Sequence, residues 1–153
     1  MQALNTRLQN EVNPLTAEKP TWGKFRDGDR VIVTQNNAYY NICNGDVGVL
    51  YIRGEKPHRV ATLAVRGTLK TWQIDCVEKY GAANDDAPPP QLALAYALTV
   101  HKSQGSQYDA ILMPVSMATA KMLYRNLLYT AISRAGREVI LVGNREAVNT
   151  TMQ

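Results

Sequence analysis

Cysteine is scarce in this chain, with only Cys43 and Cys76 in 153 residues and no CxxC pair between them. That excludes a disulfide framework and a zinc site built on paired cysteines, and both are expected to be small core residues. No window approaches the roughly 18 continuous apolar residues of a membrane helix. The opening MQALNTRLQNEV lacks the basic-then-apolar order of a signal peptide. A cytoplasmic location without a membrane partner is therefore expected. Two further absences concern chemistry. No GxxxxGK followed by Ser or Thr occurs, so the loop that cradles nucleotide phosphates is missing. No acidic pair stands at a strand end to hold magnesium, and no metal site is expected.

What is present is ordinary for a soluble globular protein: 45% apolar and 20% charged residues, with a net charge of +4. The basic excess is spread along the chain, 9 basic against 6 acidic residues in Pro20–Tyr80 and 6 against 3 in Gln91–Gln153. Such a balance tolerates a nucleic-acid partner without requiring one.

GAANDDAPPP, Gly81–Pro90, interrupts both periodicity and hydrophobicity and reads as a linker. Before it the pattern is β. RVIVTQ alternates at Val31 and Val33, VGVLYI and VATLAV follow, and LKTWQID offers Leu69, Trp72 and Ile74 for packing. Turns are marked by Asp27-Gly28, Asn44-Gly45 and Arg66-Gly67. A small barrel over residues 21–80 would close the sheet edges. Trp22, Phe25, Tyr39, Tyr40 and Trp72 are candidates for base stacking or, more commonly in so small a barrel, for its core.

After the linker, LALAYAL, AILMPV and EVILVG are near-continuous apolar runs of the kind a doubly covered parallel strand shows. Between the last two, Ser116 is placed to cap a helix whose Met117, Ala120, Leu123, Leu127 and Ala131 recur at helical spacing. This predicts an α/β fold with a parallel sheet over residues 91–153. The N-terminal LNTRLQNEVNP, a helix ended by Pro14, is expected to pack on that α/β body, so residues 1–20 belong to it and the β segment is an insertion.

Ligands of open α/β sheets gather beyond the carboxyl ends of strands. Directly after LALAYAL come Thr99, His101, Lys102, Ser103, Gln104 and Gly105. Hydroxyls, an ammonium, an amide and a glycine that lets backbone approach suit a phosphate, and the plainer alternative is a polar strand-to-helix turn.

These residues also carry a resemblance. TVHKSQGSQYD, Thr99–Asp109, resembles motif V of the superfamily 1 helicases, and LLYTAISRA, Leu127–Ala135, resembles motif VI, both as found in the RecD-like branch that includes the exodeoxyribonuclease V alpha subunit. LNTRLQNEVNP and FRDGDRVIVTQNNAYYNICNGDVGVLYI are similar to the segments that this branch places before and within an inserted SH3-like barrel, domain 2B. The resemblance implies part of a RecA-like motor domain, 2A, carrying that barrel. It implies that Thr99, His101 and Lys102 face the sugar-phosphate track of single-stranded DNA, that Gly105 and Gln107 lie near the nucleotide, and that Arg134 is the arginine finger reaching the γ-phosphate. Gln107 departs from the family's GSE, keeping hydrogen bonding but losing the charge.

The implied activity is ATP-driven 5′ to 3′ translocation on single-stranded DNA with duplex unwinding. Since the phosphate loop and metal carboxylates are missing, the chain reads as a C-terminal piece with half of an ATP site, inactive alone. ATP and Mg²⁺ would be cofactors of a longer parent and are not expected to bind tightly here. Expected partners are single-stranded DNA, the N-terminal motor domain of the same parent, and nuclease subunits or a single-strand binding protein. Two other readings stand beside it: a free-standing module that holds single strands, and a protein-interaction domain built on the barrel.

Overall fold

The computed structural model describes residues 1–56, 58–74, 89–117 and 125–152, which fall into two compact units, Met1–Leu98 and Thr99–Gln153. Cys76, residues 81–88 of the linker, Ala120 and Leu123 lie outside the described residues.

The first unit opens with helix α1 (Gln2–Val12) and a short antiparallel pair, β1 (Thr21–Trp22) with β2 (Phe25–Arg26). Next come β3 (Asp29–Val33), β4 (Val47–Arg53), β5 (Val60–Val65) and β6 (Thr68–Gln73), in which β4, β5 and β6 each pair antiparallel with the strand before. Arg66 (φ 49°) and Gly67 (φ 71°) join β5 to β6. Two consecutive positive φ values make the type I′ turn whose twist matches a hairpin. Val31, Val33, Leu50, Ile52, Ala61, Leu63 and Val65 are buried as the alternation read in the sequence predicts, and Ile32, between Val31 and Val33, is buried as well. Each such valine, leucine or isoleucine side chain contributes roughly 1.5–3 kcal/mol by leaving water. Leu69 is an exception at 69% exposed, while Trp72 and Ile74 are buried. Successive strand residues face opposite ways, so an odd-numbered residue cannot share the face of two even-numbered ones.

The aromatic residues divide. Trp22 lies 5.8 Å, centroid to centroid, from both Phe25 and Trp72, and Tyr40 lies 5.9 Å from Trp72. Those four belong to the core and its margin, whereas Tyr39 is 64% exposed. Cys43, expected inside, is an exposed free thiol beside the Asn44-Gly45 turn.

Two expectations fail in this unit. LALAYAL yields only β7 (Leu92–Leu94), which runs antiparallel to β3 at the edge of a five-stranded sheet ordered β6-β5-β4-β3-β7. It is not a strand of a parallel sheet, because β3's free edge takes up its backbone groups. Helix α1, expected on the α/β body, belongs to this unit. It buries amides instead of an apolar stripe: Asn5, Gln9 and Asn13, spaced by four residues, are buried while Leu4 and Val12 are exposed. Asn5 exchanges two 2.9 Å hydrogen bonds with the backbone of Ala97, its Nδ2 donating to the carbonyl and its Oδ1 accepting from the N–H.

Gln9 and Asn13 converge on Asp29, whose side chain is fully buried. Its carboxylate accepts from Gln9 Nε2 (2.5 Å), Asn13 Nδ2 (2.7 Å), the Arg26 N–H (2.8 Å) and Tyr96 Oη (2.8 Å). The Arg26 guanidinium closes the arrangement by donating to the Asn13 carbonyl (2.8 Å) and to Asn10 Oδ1 (2.7 Å).

The second unit is parallel, as expected. β8 (Tyr108–Val115) pairs in parallel with β9 (Ala135–Gly143), with α2 (Arg125–Ile132) between them in sequence and α3 (Arg145–Met152) after them. Asn144 Oδ1 accepts the backbone N–H groups of Glu146 (2.7 Å) and Ala147 (3.2 Å), which starts α3. Met113, Val115, Leu128, Ala131 and Ala147 form the core. Gly143 is required at the end of the pairing, since a Cβ there would sit 1.8 Å from the Val115 carbonyl oxygen. The opposite sheet face is open among the described residues, with Leu112, Ile140 and Val142 exposed, and Met117 is exposed where the helical spacing placed it inside.

Asp29→Asn is expected to lower unfolding stability by about 3 kcal/mol, because an amide NH2 then opposes donors that lose their acceptor. Urea unfolding followed by tryptophan fluorescence measures this. A pH effect accompanies it. Burial, and then the hydrogen bond to Asp29, push the Tyr96 phenol from its ordinary 10.0 up to about 12. A raised folded-state pKa stabilises below the unfolded value and ceases to as pH climbs past the folded one. Stability should therefore fall between about pH 10 and pH 12, and Tyr96→Phe should lack that component in parallel melts.

Candidate functional site

The stretch from Thr99 to Gln107 enters β8, and Ser133-Arg134 enters β9. Both therefore lie at the amino-terminal ends of the parallel pair, not beyond its carboxyl ends. The geometry differs from expectation because LALAYAL, which the loop follows, is not part of this sheet.

Within the loop, His101–Ser103 form a single 3-10 turn. Thr99 Oγ1 accepts the Lys102 N–H (3.3 Å), and Ser103 Oγ donates to the Val100 carbonyl (2.7 Å). The turn continues through Gln104 N–H to the His101 carbonyl (3.3 Å) and Ser106 N–H to the Ser103 carbonyl (3.2 Å). Gly105 sits between at φ 83°, left-handed backbone that other residues adopt at a cost. Thr99, His101, Lys102, Gly105 and Gln107 are all exposed. Neither His101 nor Lys102 is neutralised by an ion pair among the described residues. The loop thus offers positive charge and backbone at a surface where a phosphate meets little desolvation cost.

Arg134 is held differently. Its N–H donates to the Ala131 carbonyl (3.1 Å) at the end of α2, and its carbonyl accepts the Tyr108 N–H (2.9 Å). That bond joins the two motifs directly: the residue after Gln107 is clamped to Arg134, and Tyr108 pairs with Ala135. Arg134 is half-buried, and its Nε is buried without a hydrogen-bond partner. So is the hydroxyl of Tyr108, a residue the sequence reading passed over. Buried polar atoms are ordinarily paired, and these two unpaired groups flank one backbone junction.

Residues 94–142 match the model of the UvrD-like helicase C-terminal domain. RecBCD enzyme subunit RecD of Mycolicibacterium smegmatis is 30% identical over 149 residues, covering 97% of this chain and 24% of that protein. The ATP-dependent RecD2 DNA helicase of Deinococcus radiodurans is 34% identical over 150 residues, covering 96% of this chain and 19% of that one. The chain belongs to the RecD-like superfamily 1 helicases. It spans about a quarter or less of the length of these curated relatives. A crystal structure of Bacteroides Pif1 bound to single-stranded DNA shares the fold, with a TM-score of 0.54 at 18% identity over 92% of this chain and 38% of that one. So does Bacteroides Pif1 in complex with ADP-AlF3 and single-stranded DNA, with a TM-score of 0.53 at 22% identity over 84% of this chain and 30% of the other. The Thr99–Gln107 loop and Arg134 lie within the residues that match this domain model, and Asp29 lies in the β segment that precedes them.

Arg134→Ala is expected to shift unfolding stability by no more than about 0.5 kcal/mol, because truncation removes an unpaired buried donor and breaks no side-chain bond. Thermal melts of the 153-residue chain and its variant measure this.

Proposed function

We propose that this chain serves as the second motor domain and barrel of an ATP-dependent DNA helicase that moves 5′ to 3′ on single-stranded DNA. One observation carries the reading: the Tyr108 N–H to Arg134 carbonyl bond ties the motif V loop to the motif VI arginine in a single rigid junction. Thr99, His101 and Lys102 hold the phosphates of the strand through the exposed turn. Gly105 and Gln107 approach the nucleotide, with Gln107 offering an amide where the family has a carboxylate. Arg134 acts as the arginine finger. A planar guanidinium stabilises charge spreading over the transferred phosphoryl group, and its unpaired Nε supports a partner from outside the chain.

The other half of the ATP site comes from an N-terminal motor domain of the same parent, which supplies the phosphate loop and the carboxylate for Mg²⁺. Their residues are missing from this sequence. ATP bound there supplies the phosphoryl-transfer chemistry, while this chain's residues stabilise charge and grip the strand. The uncovered apolar face formed by Leu112, Ile140 and Val142 suits packing within a larger domain. Nuclease subunits or a single-strand binding protein are further proposed partners, by analogy with relatives named as RecBCD subunits.

The test is DNA-stimulated ATP turnover by the chain joined to a RecD-like N-terminal motor domain. Arg134→Ala should reduce it by roughly 10³- to 10⁵-fold, with binding to single strands in the absence of nucleotide little changed. Arg134→Lys should restore little, and the chain alone should give background turnover. Near-normal turnover in the alanine variant would overturn the finger assignment.

A further inference from the structure

The loop between β3 and β4 is the longest described connection in the first unit, and helicase motifs account for none of it. It lines a half-open cavity of about 400 Å³ with Gln35, Asn36, Asn37, Ala38 and Tyr39, and Pro89 and Gln91 complete the lining. Among the described residues, no charged side chain lines it. That size falls within the roughly 300–1,000 Å³ of small-ligand sites.

The loop is held in shape before any ligand arrives. The Asn37 N–H donates to the Ile42 carbonyl (2.9 Å) and the Ile42 N–H to the Asn37 carbonyl (3.1 Å), which closes its tip. Asn36 Oδ1 accepts the Asn44 N–H (2.7 Å), and Asn37 Oδ1 accepts the Tyr40 N–H (3.2 Å). With those oxygens engaged, the Asn36 NH2 stands as a donor of set orientation. Gln91 is fixed as well, its carbonyl accepting the Thr34 N–H (2.9 Å) and hydroxyl (3.2 Å). Tyr39 meets Tyr40 edge-on, with centroids 4.9 Å apart and planes at 73°, and it remains 64% exposed. Tyr40 leans on the core, so Tyr39 stands out from a braced support.

We propose that this cavity receives one base of the single strand, stacked on Tyr39 and edge-bonded by the surrounding amides. The inference rests on the reading of the chain as a binder of single-stranded DNA and adds a contact on the β unit. Amides carry both donors and acceptors, as base edges do, and an uncharged lining suits a base where it would not suit a phosphate. A polyproline segment fits less well, since its grooves are lined by several aromatic side chains and only one is present here.

Stacking and phosphate contacts leave different signatures. A base stacked on an aromatic ring adds affinity without releasing counterions, whereas each neutralised phosphate of a single strand adds about 0.7 to the salt slope. The experiment is fluorescence anisotropy of a labelled oligo(dT) strand against the 153-residue chain over a salt series, beside an abasic strand with the same number of phosphates. Tyr39→Ala should weaken oligo(dT) binding roughly tenfold, leave the salt slope unchanged and leave abasic binding unchanged. Tyr39→Phe should bind as the unaltered chain does. Equal binding by Tyr39→Ala and the unaltered chain overturns the base site. So does an equal loss on the abasic strand, or a shallower salt slope. A proline-rich peptide that competes for Tyr39 where oligo(dT) does not assigns the cavity to a peptide and overturns it likewise. If the unaltered chain binds neither strand, the single-strand reading itself falls, an outcome distinct from binding that is indifferent to Tyr39.

Discussion

A fully buried carboxylate organises the first unit. Asp29 would be costly to place there alone, since transfer of an isolated charge from water is among the most unfavourable steps in folding. Four donors offset that cost, and they come from α1, from β2 and from the segment after β7. Satisfying one group therefore requires that three separated pieces of chain arrive together. This is why the helix buries amides and turns Leu4 and Val12 outward: its inward face serves a charge, not an apolar core. Hydrophobic burial in the sheet supplies the bulk of the stabilisation, but it is indifferent to how α1 and the chain beyond β7 dock. The carboxylate is not.

In the second unit the governing constraint is parallel pairing. Two parallel strands need a crossover, and here it carries α2, whose end delivers Arg134 to the start of β9. The same pairing register puts Tyr108 opposite Ala135, so the loop feeding β8 and the helix feeding β9 share one sheet end. A backbone hydrogen bond links the two segments directly, without a chain of side chains between them. For a site proposed to couple nucleotide state to grip on a strand, that is the shortest mechanical link available. Gln107 lies at this junction, next to the bonded Tyr108.

Much of this was legible from residues alone, and the reason is periodicity. The alternation of Val31 and Val33, the Arg66-Gly67 turn and the strands formed by AILMPV and EVILVG are local properties, set by the period of the strand and the φ that a turn demands. The amide stripe Asn5, Gln9, Asn13 was also visible at four-residue spacing, though it signals a buried face only when a charge to be satisfied is sought. The Asn144 cap of α3 was another readable signal that hydrophobic patterning alone overlooked.

Tertiary structure decided the rest. An apolar run such as LALAYAL has the same composition at a sheet edge as in a sheet centre; the open edge of β3 settled the matter, and with it which end of β8 the motif V loop occupies. Burial of Asp29 depends on donors as distant in sequence as Tyr96, which no local pattern encodes. Exposure divides Tyr39 from Tyr40 and Leu69 from Trp72 although each pair is chemically alike, because what covers a side chain comes from strands elsewhere in the chain. The sequence by itself determined which elements form and which chemistry the chain carries. Only the fold decided which elements share a sheet, since pairing partners and the satisfaction of a buried charge are long-range conditions.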